Sequence, residues 1–580
     1  MNRSAVIHRS NSEYTYAADN DTVIVKLRTG KDIDKAYIIS EDPFIHELNR
    51  KREWYGIKQE MEKWLELTDH FIWKIKLKPQ YKRLQYYFEL ECEGENYYLY
   101  ENRLCKTSES SERSKQYFKF PWLNPSDVIT PPSWVEKTVW YQIMPERFSR
   151  DKNFENNGRY KEWGNMADPH LEDLYGGNLR GITEHLPYLK DLGVGGIYMT
   201  PVFHSPSSHK YNTINYTLID PGFGTDEDMV KLVETAHSMG MRVMLDAVFN
   251  HCGNQFAPWK DVQKNGRNSP YYDWFFVNGD NIDKEDYSTA DGRFYSFSFW
   301  AGMPKFNTNN PEVIDYFTDI TSSWVRNWGI DGIRFDVGDE VSHTFLRSLY
   351  NSLKAISPDI YLLGEIWNDS LGWVTGREYD AVMNYPLSNC INDFWKYPEM
   401  NSTDFMYYMN YCRSLYPEQS ARAMFNFLDT HDTSRAIESC KNKDVLLQKL
   451  TALITLPGTP CIYYGTEIAM NGLYAPFNRR CMPWDEIDSG MYKEFSQKVS
   501  SLIKLREKYP ALSESEMQFI INEDEPRLIS YIKDSKVKVW LNAAENDVDI
   551  PDNIKVCYSN LYDTENKILH KDGILVAKLL

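Results

Sequence analysis

Three carboxylates fall at the ends of short apolar segments. Asp336 closes Gly332-Ile-Arg-Phe, Glu365 closes Ile360-Tyr-Leu-Leu-Gly, and Asp432 follows Phe427-Leu-Asp-Thr-His. The first two are 29 residues apart and the last two 67, which fits one and two strand–helix units of roughly 30 residues or more each. Parallel barrel strands all end at one mouth, so the three acids are expected to converge there. A carboxylic acid set beside a carboxylate can donate a proton while its neighbour attacks or activates water. Cleavage of a glycosidic bond needs that pair, and further negative charge nearby stabilises its oxocarbenium-like transition state. Arg334 precedes Asp336 by two residues, shares its strand face and favours its ionised form. His251 and His431 complete the polar set. A single strand-end aspartate is more often a turn or a helix cap, but three at this spacing with a shared arginine indicate a site. An Asp/Glu/His mouth also suits a divalent ion, so metal-assisted hydrolysis stays open at this point.

The elements that must carry these residues are legible as a repeat. Eight short apolar runs begin at Val139, Gly196, Val243, Gly332, Ile360, Ala381, Met424 and Cys461, with amphipathic stretches between them. Continuous apolar strands alternating with helices indicate a parallel sheet, and eight such units indicate a closed (β/α)8 TIM barrel, placed at residues 124–510. Helical spacing is clear from Ile182 to Leu192 and from Pro311 to Trp328, the latter with proline in the first turn. Asp246 and Asp336 are 90 residues apart, too far for one unit. The excess, residues 252–310 after the third strand, reads as a loop subdomain over the mouth. Before the barrel, residues 1–123 alternate apolar and polar positions in segments such as Phe71-Ile-Trp-Lys-Ile-Lys-Leu, the pattern of an N-terminal β-sandwich. Residues 511–580 return to the same alternation and are expected to form a C-terminal β-sandwich.

Bulk properties restrict the partners. The 580 residues carry a net charge of −18, which opposes nucleic acid and anionic membrane and leaves a neutral ligand unaffected. Met1-Asn-Arg-Ser-Ala-Val-Ile-His lacks the apolar stretch of a secretory signal, and no run of ~18 apolar residues would span a bilayer. Nine cysteines without CxxC pairing fit reduced thiols, so a cytoplasmic location is expected.

These segments resemble the signature regions of the α-amylase superfamily. Asp246-Ala-Val-Phe-Asn-His251, Gly332-Ile-Arg-Phe-Asp336, Gly364-Glu-Ile-Trp367 and Phe427-Leu-Asp-Thr-His-Asp432 occur in the superfamily's order. Met303-Pro-Lys-Phe-Asn307 and Asn478-Arg-Arg-Cys-Met-Pro-Trp484 are similar to segments of the neopullulanase, cyclomaltodextrinase and maltogenic amylase group. The resemblance implies retaining hydrolysis of α-1,4-glucosidic bonds in cyclomaltodextrins, maltooligosaccharides and pullulan, with some α-1,6 cleavage and transglycosylation. Sister activities on this fold are an oligo-α-glucosidase or an α-glucan transglycosylase; a non-catalytic sugar-binding protein is a more distant one. The resemblance also assigns roles. Asp336 is the nucleophile, Glu365 the acid/base and Asp432 the transition-state stabiliser. Tyr211, His251, Arg334, Glu340, Trp367, His431 and Arg479 bind substrate. It implies a homodimer formed through the N-terminal domain. The reaction requires no cofactor. A calcium loop known in relatives is in question here, because Arg150 and Lys152 cannot ligate and Asn178 stands where that pattern has aspartate.

Overall fold

A computed structural model describes residues 1–51, 53–106, 115–167, 169–279, 282, 286–514 and 516–580. Contacts group the described residues into two units. One is Met1–Thr130 with Ser402–Ala421, the other Pro131–Asn401 with Arg422–Leu580.

The second unit contains the barrel. Its eight strands are Trp140–Ile143, Gly196–Met199, Arg242–Ala247, Gly332–Phe335, Tyr361–Gly364, Ala381–Val382, Phe425–Asn426 and Thr459–Tyr463. Each expected apolar run supplies one of them. Neighbours pair in parallel from the first strand to the sixth, and the eighth strand joins the first to the seventh. The ring closes where Met383 bridges Phe425 in parallel and the Asn384 N–H donates to Phe425 O at 2.8 Å. Strands covered on both faces cannot show polar alternation, and the residues of the first, second, fourth and fifth strands are all buried.

Helix Pro311–Trp328 starts where the Asn310 side chain accepts from Glu312 N and ends at Gly329 with φ 71°. The excursion after the third strand folds back on its own stem. Phe306 N donates to Asn250 O at 3.0 Å, and Lys305 bridges His251. Trp259, Phe275 and Phe306 are buried within it. The C-terminal strands form a six-stranded antiparallel sheet. No described helix is long and apolar enough to cross a membrane, and the nine cysteines are free thiols.

The N-terminal unit is a sandwich of a four-stranded and a six-stranded sheet. Val23, Val25 and Leu27 of one sheet meet Tyr86, Phe88 and Leu90 of the other in its core. The intervening Lys26 would face water by alternation, yet it is 1% exposed. Helices Ser402–Ser414 and Glu418–Ala423 explain this, because the segment Ser402–Ala421 belongs to this unit. Lys26 lies 4.9 Å from the Trp64 ring centre, and Lys74 lies 4.2 Å from it. Glu418 Oε1 pairs with Lys74 Nζ at 3.0 Å. Burial raises the Glu418 carboxyl pKa, but Lys74 and Lys26 outweigh it and hold the group below its ordinary value. A depressed carboxyl stabilises the fold above its unfolded pKa of ~4.3 and stops doing so as pH falls through the folded value. Replacing Glu418 with Gln leaves two buried lysines uncompensated, at a cost of about 3 kcal/mol at pH 7. The loss is expected to shrink toward pH 4. Denaturant midpoints at both pH values check this, and an unchanged midpoint at pH 7 would contradict it.

Candidate active site

Strand register brings Asp336 and Glu365 together, whereas Asp432 stands six residues past the seventh strand, Phe425–Asn426, rather than at its end. Asp246 of the third strand is the register partner of Arg334 on the fourth, and Phe335 is the partner of Gly364 on the fifth. Asp336 and Glu365 therefore emerge side by side, one residue past their strands. Arg334 is 0% exposed and touches all three neighbouring carboxyls. Its Nη1 donates to Asp246 Oδ1 at 2.9 Å and to Asp336 Oδ1 at 2.8 Å. Nη2 lies 2.9 Å from Glu365 Oε2, an ion pair without hydrogen-bond alignment. Burial pushes the Asp246 and Asp336 carboxyls up, and Arg334 pulls both down. The neighbouring Glu365 and Asp246 carboxyls push Asp336 up as well, so the single cation does not cancel its burial.

Backbone geometry fixes Glu365 further. Val337 has φ 48°, a left-handed conformation that a β-branched residue avoids at a cost of about 1–3 kcal/mol. In that conformation its N–H donates to Glu365 Oε2 at 2.9 Å. The next residue is Gly338, where an added Cβ would sit 2.8 Å from the Tyr379 hydroxyl. On the other carboxylate oxygen, Trp367 Nε1 donates at 3.2 Å and the Tyr385 hydroxyl at 3.4 Å. The Trp367 and Tyr385 rings stack 3.8 Å apart, and Trp367 keeps 50% of its surface exposed.

Asp432 belongs to an adjoining cluster. Its Oδ2 lies 3.0 Å from His431 Nε2, and its Oδ1 lies 3.4 Å from Arg479 Nη2. Burial raises its carboxyl, while Arg479 and Arg334 lower it. The Tyr211 ring lies parallel to that of His431 at 5.3 Å. The Tyr211 hydroxyl lies 2.6 Å from His431 Nε2 and donates to Asp246 Oδ2 at 2.9 Å, linking this cluster to the first.

His251 and Glu340 sit apart from that network. The His251 ring stacks on Phe297 at 4.9 Å. Glu340 is half-exposed and pairs with Lys305 at 2.8 Å. The two are joined indirectly, since Lys305 Nζ donates to Asn250 Oδ1 and Asn250 Nδ2 lies 3.2 Å from His251 Nδ1. Sequence reasoning missed Gln142, Tyr198, Asn250, Lys305 and Tyr385. A signal was present for two of them. Gln142 and Tyr198 are polar groups inside fully buried strands, where a polar atom needs a partner. Tyr198 donates to Asp246 Oδ2 at 2.6 Å, and Gln142 Nε2 lies 2.9 Å from His431 Nδ1.

The loop that raised the question of calcium is closed by protein groups. The Arg150 guanidinium donates to Tyr175 O and Lys161 O, both at 2.6 Å. Asn178 Nδ2 donates to Asp151 Oδ2 at 2.8 Å, while its Oδ1 accepts from Gly181 N. A guanidinium placed in this loop repels a divalent ion, and the Asn178 amide already donates to Asp151, so these residues do not fit calcium.

The Arg334 geometry sets an expectation. Arg334→Lys keeps the charge but loses the planar fork that reaches three acids at once. It is expected to lower kcat/KM by about 100-fold or more. Steady-state kinetics beside a circular dichroism spectrum check this. A folded variant within twofold of the wild type would show the fork to be dispensable.

Two family models match the chain: the α-amylase catalytic domain over residues 142–509 and the α-amylase N-terminal Ig-like domain over residues 1–124. A maltogenic α-amylase of Bacillus acidopullulyticus is 38% identical, with 100% of this chain and 98% of the relative covered. A cyclomaltodextrinase of Geobacillus thermopakistaniensis is 39% identical over 95% of this chain and 93% of its own length. A solved cyclomaltodextrinase structure superposes with a TM-score of 0.88 at 32% identity, covering 100% of both chains. With its catalytic and N-terminal domains both matched, the chain belongs to the α-amylase family of glycoside hydrolases.

Proposed function

We infer that the protein hydrolyses α-1,4-glucosidic bonds in cyclomaltodextrins and maltooligosaccharides with retention of configuration, and that it accepts pullulan. The single observation that carries this is Arg334, whose two terminal nitrogens contact Asp336 and Glu365. Carboxyls bridged by one guanidinium fit the ~5–5.5 Å spacing of retaining enzymes better than the wider gap that holds a water in inverting ones. Asp336 attacks the anomeric carbon while Glu365 protonates the departing glycosidic oxygen. Glu365 then takes a proton from the water that opens the glycosyl ester. Asp432, held between Arg479 and His431, supplies negative charge near the oxocarbenium-like centre. Tyr211 offers a flat face to the sugar, and the exposed Trp367 ring borders the leaving group with Glu340 beyond it. His251 and His431 bond sugar hydroxyls. The names of the relatives support the substrate class, and a Thermoactinomyces vulgaris relative named neopullulanase 2 supports pullulan.

Products from β-cyclodextrin, pullulan and starch, run side by side, test the reading. Faster release of reducing ends from the ring than from starch supports it. No release from β-cyclodextrin, maltotriose or pullulan contradicts it.

The reaction as proposed requires no cofactor, and Arg150 takes over the work of a cation in its loop. Dialysis against EDTA is expected to leave both activity and melting temperature unchanged, whereas Arg150→Ala lowers the melting temperature. A chelator-induced drop would contradict this. A homodimer formed through the N-terminal unit fits its exposed apolar residues Phe44, Leu48, Ile57 and Trp122. Light scattering at twice 68.2 kDa supports the dimer, and the single mass contradicts it. A cytoplasmic location is supported by a Bacillus subtilis relative named an intracellular maltogenic amylase.

A further inference from the structure

We propose that two buried amides, Gln142 and Asn250, are positioning residues that fix His431 and His251 as neutral imidazoles protonated on Nε2. The proposal rests on the glycosidase reading above and names what makes its two histidines hydrogen-bond donors.

The argument for His251 starts from a lysine. Lys305 Nζ donates to Asn250 Oδ1, which settles the orientation of that amide, because ammonium can only donate. The nitrogen end of the amide then lies 3.2 Å from His251 Nδ1 and donates to it. Nδ1 must be bare. Burial, with Lys305 and His209 adding to it and the Tyr211 backbone opposing, lowers the His251 pKa to about 3, so the ring is neutral and its proton sits on Nε2.

His431 reaches the same state by a separate route. Its Nε2 faces Asp432 Oδ2 at 3.0 Å and the Tyr211 hydroxyl at 2.6 Å. An ionised carboxylate accepts only, and the Tyr211 proton is directed to Asp246 Oδ2. The Asp432 contact lacks hydrogen-bond alignment, but its negative charge favours an N–H at Nε2, and the Tyr211 hydroxyl can accept from that N–H while donating to Asp246. Burial lowers the pKa of this ring far below its ordinary value, with Arg479 and Arg334 adding to that and Glu365 opposing it; His209 also lies within electrostatic reach. The Gln142 amide nitrogen lies 2.9 Å from Nδ1 and donates to it, so Nδ1 is bare and the proton of the neutral ring sits on Nε2. Gln142 is 1% exposed and lies on the first barrel strand, so the amide cannot move aside.

The opposite tautomer would set a bare nitrogen against the Asp432 carboxylate and remove the N–H that a sugar hydroxyl oxygen would accept from. A wrong tautomer can cost a large factor in rate even where the geometry is preserved. Gln142→Glu and Gln142→Met separate tautomer control from packing. While the carboxyl introduced by Gln142→Glu is protonated, it donates to Nδ1 as the amide does. Once ionised it accepts, and it draws the ring proton to Nδ1. The kcat/KM of Gln142→Glu relative to wild type is therefore expected to fall at least about tenfold between pH 5 and pH 8. Gln142→Met is expected to lose about tenfold or more at every pH, mainly in kcat. A pH-independent ratio for the glutamate variant, or wild-type kinetics in the methionine variant, would overturn the proposal. Histidine-15N NMR of the wild type needs neither variant to fold and no substrate, so it stands or falls separately from the glycosidase reading. Nε2-protonated signals for His431 and His251, each assigned by single replacement, are expected; an Nδ1-protonated signal for either ring would overturn the proposal.

Discussion

A guanidinium removed from water must be neutralised, and Arg334 is neutralised by the carboxyls of Asp246, Asp336 and Glu365. Its position is not adjustable. The side chain leaves the fourth strand level with Asp246 of the third, shares its face with Asp336 two residues on, and meets Glu365 from the fifth strand. Three barrel strands thus meet on one cation. The buried acids keep Arg334 charged, and Arg334 favours ionisation of Asp336 against burial and against its neighbours. Asp336 and Glu365 are held together by the same contact that makes their burial tolerable.

Much of the surrounding structure serves that contact. Val337 adopts an unfavourable backbone conformation and its N–H fixes one Glu365 oxygen. Trp367 and Tyr385, stacked on each other, fix the second. Tyr198 and Tyr211 both donate to Asp246 Oδ2, so the acid that anchors Arg334 is itself anchored. Tyr211 carries the order onward to His431, Asp432 and Arg479. Outside the barrel the same rule holds in the N-terminal unit, where Lys26 and Lys74 are buried because Trp64 and Glu418 receive them.

The barrel was legible because each strand is a short apolar run between helical stretches, and eight such runs fit few other closed sheets. Asp336 and Glu365 were legible because they stand at strand ends with a spacing set by one strand–helix unit, whereas Asp432 stands in the loop six residues past its strand. Their partners were less so. Gln142 and Tyr198 could have been found as polar residues inside buried strands, but Tyr385 and Lys305 sit outside the strands, where only tertiary structure brings them to the site. Lys26 misled the alternation rule for a similar reason. It looks like a solvent-facing residue until the segment Ser402–Ala421, nearly 400 residues later in sequence, covers it.

Trapping the covalent intermediate tests most directly the claim that Asp336 and Glu365 act as one retaining pair. In a Glu365→Gln variant given α-maltosyl fluoride, fluoride leaves without acid help as the Asp336 carboxylate bonds to the anomeric carbon. The water that would release the sugar then lacks its base. Intact-mass and peptide mass spectrometry should find one maltosyl group esterified to Asp336. No adduct, or an adduct on another carboxyl, would contradict the account.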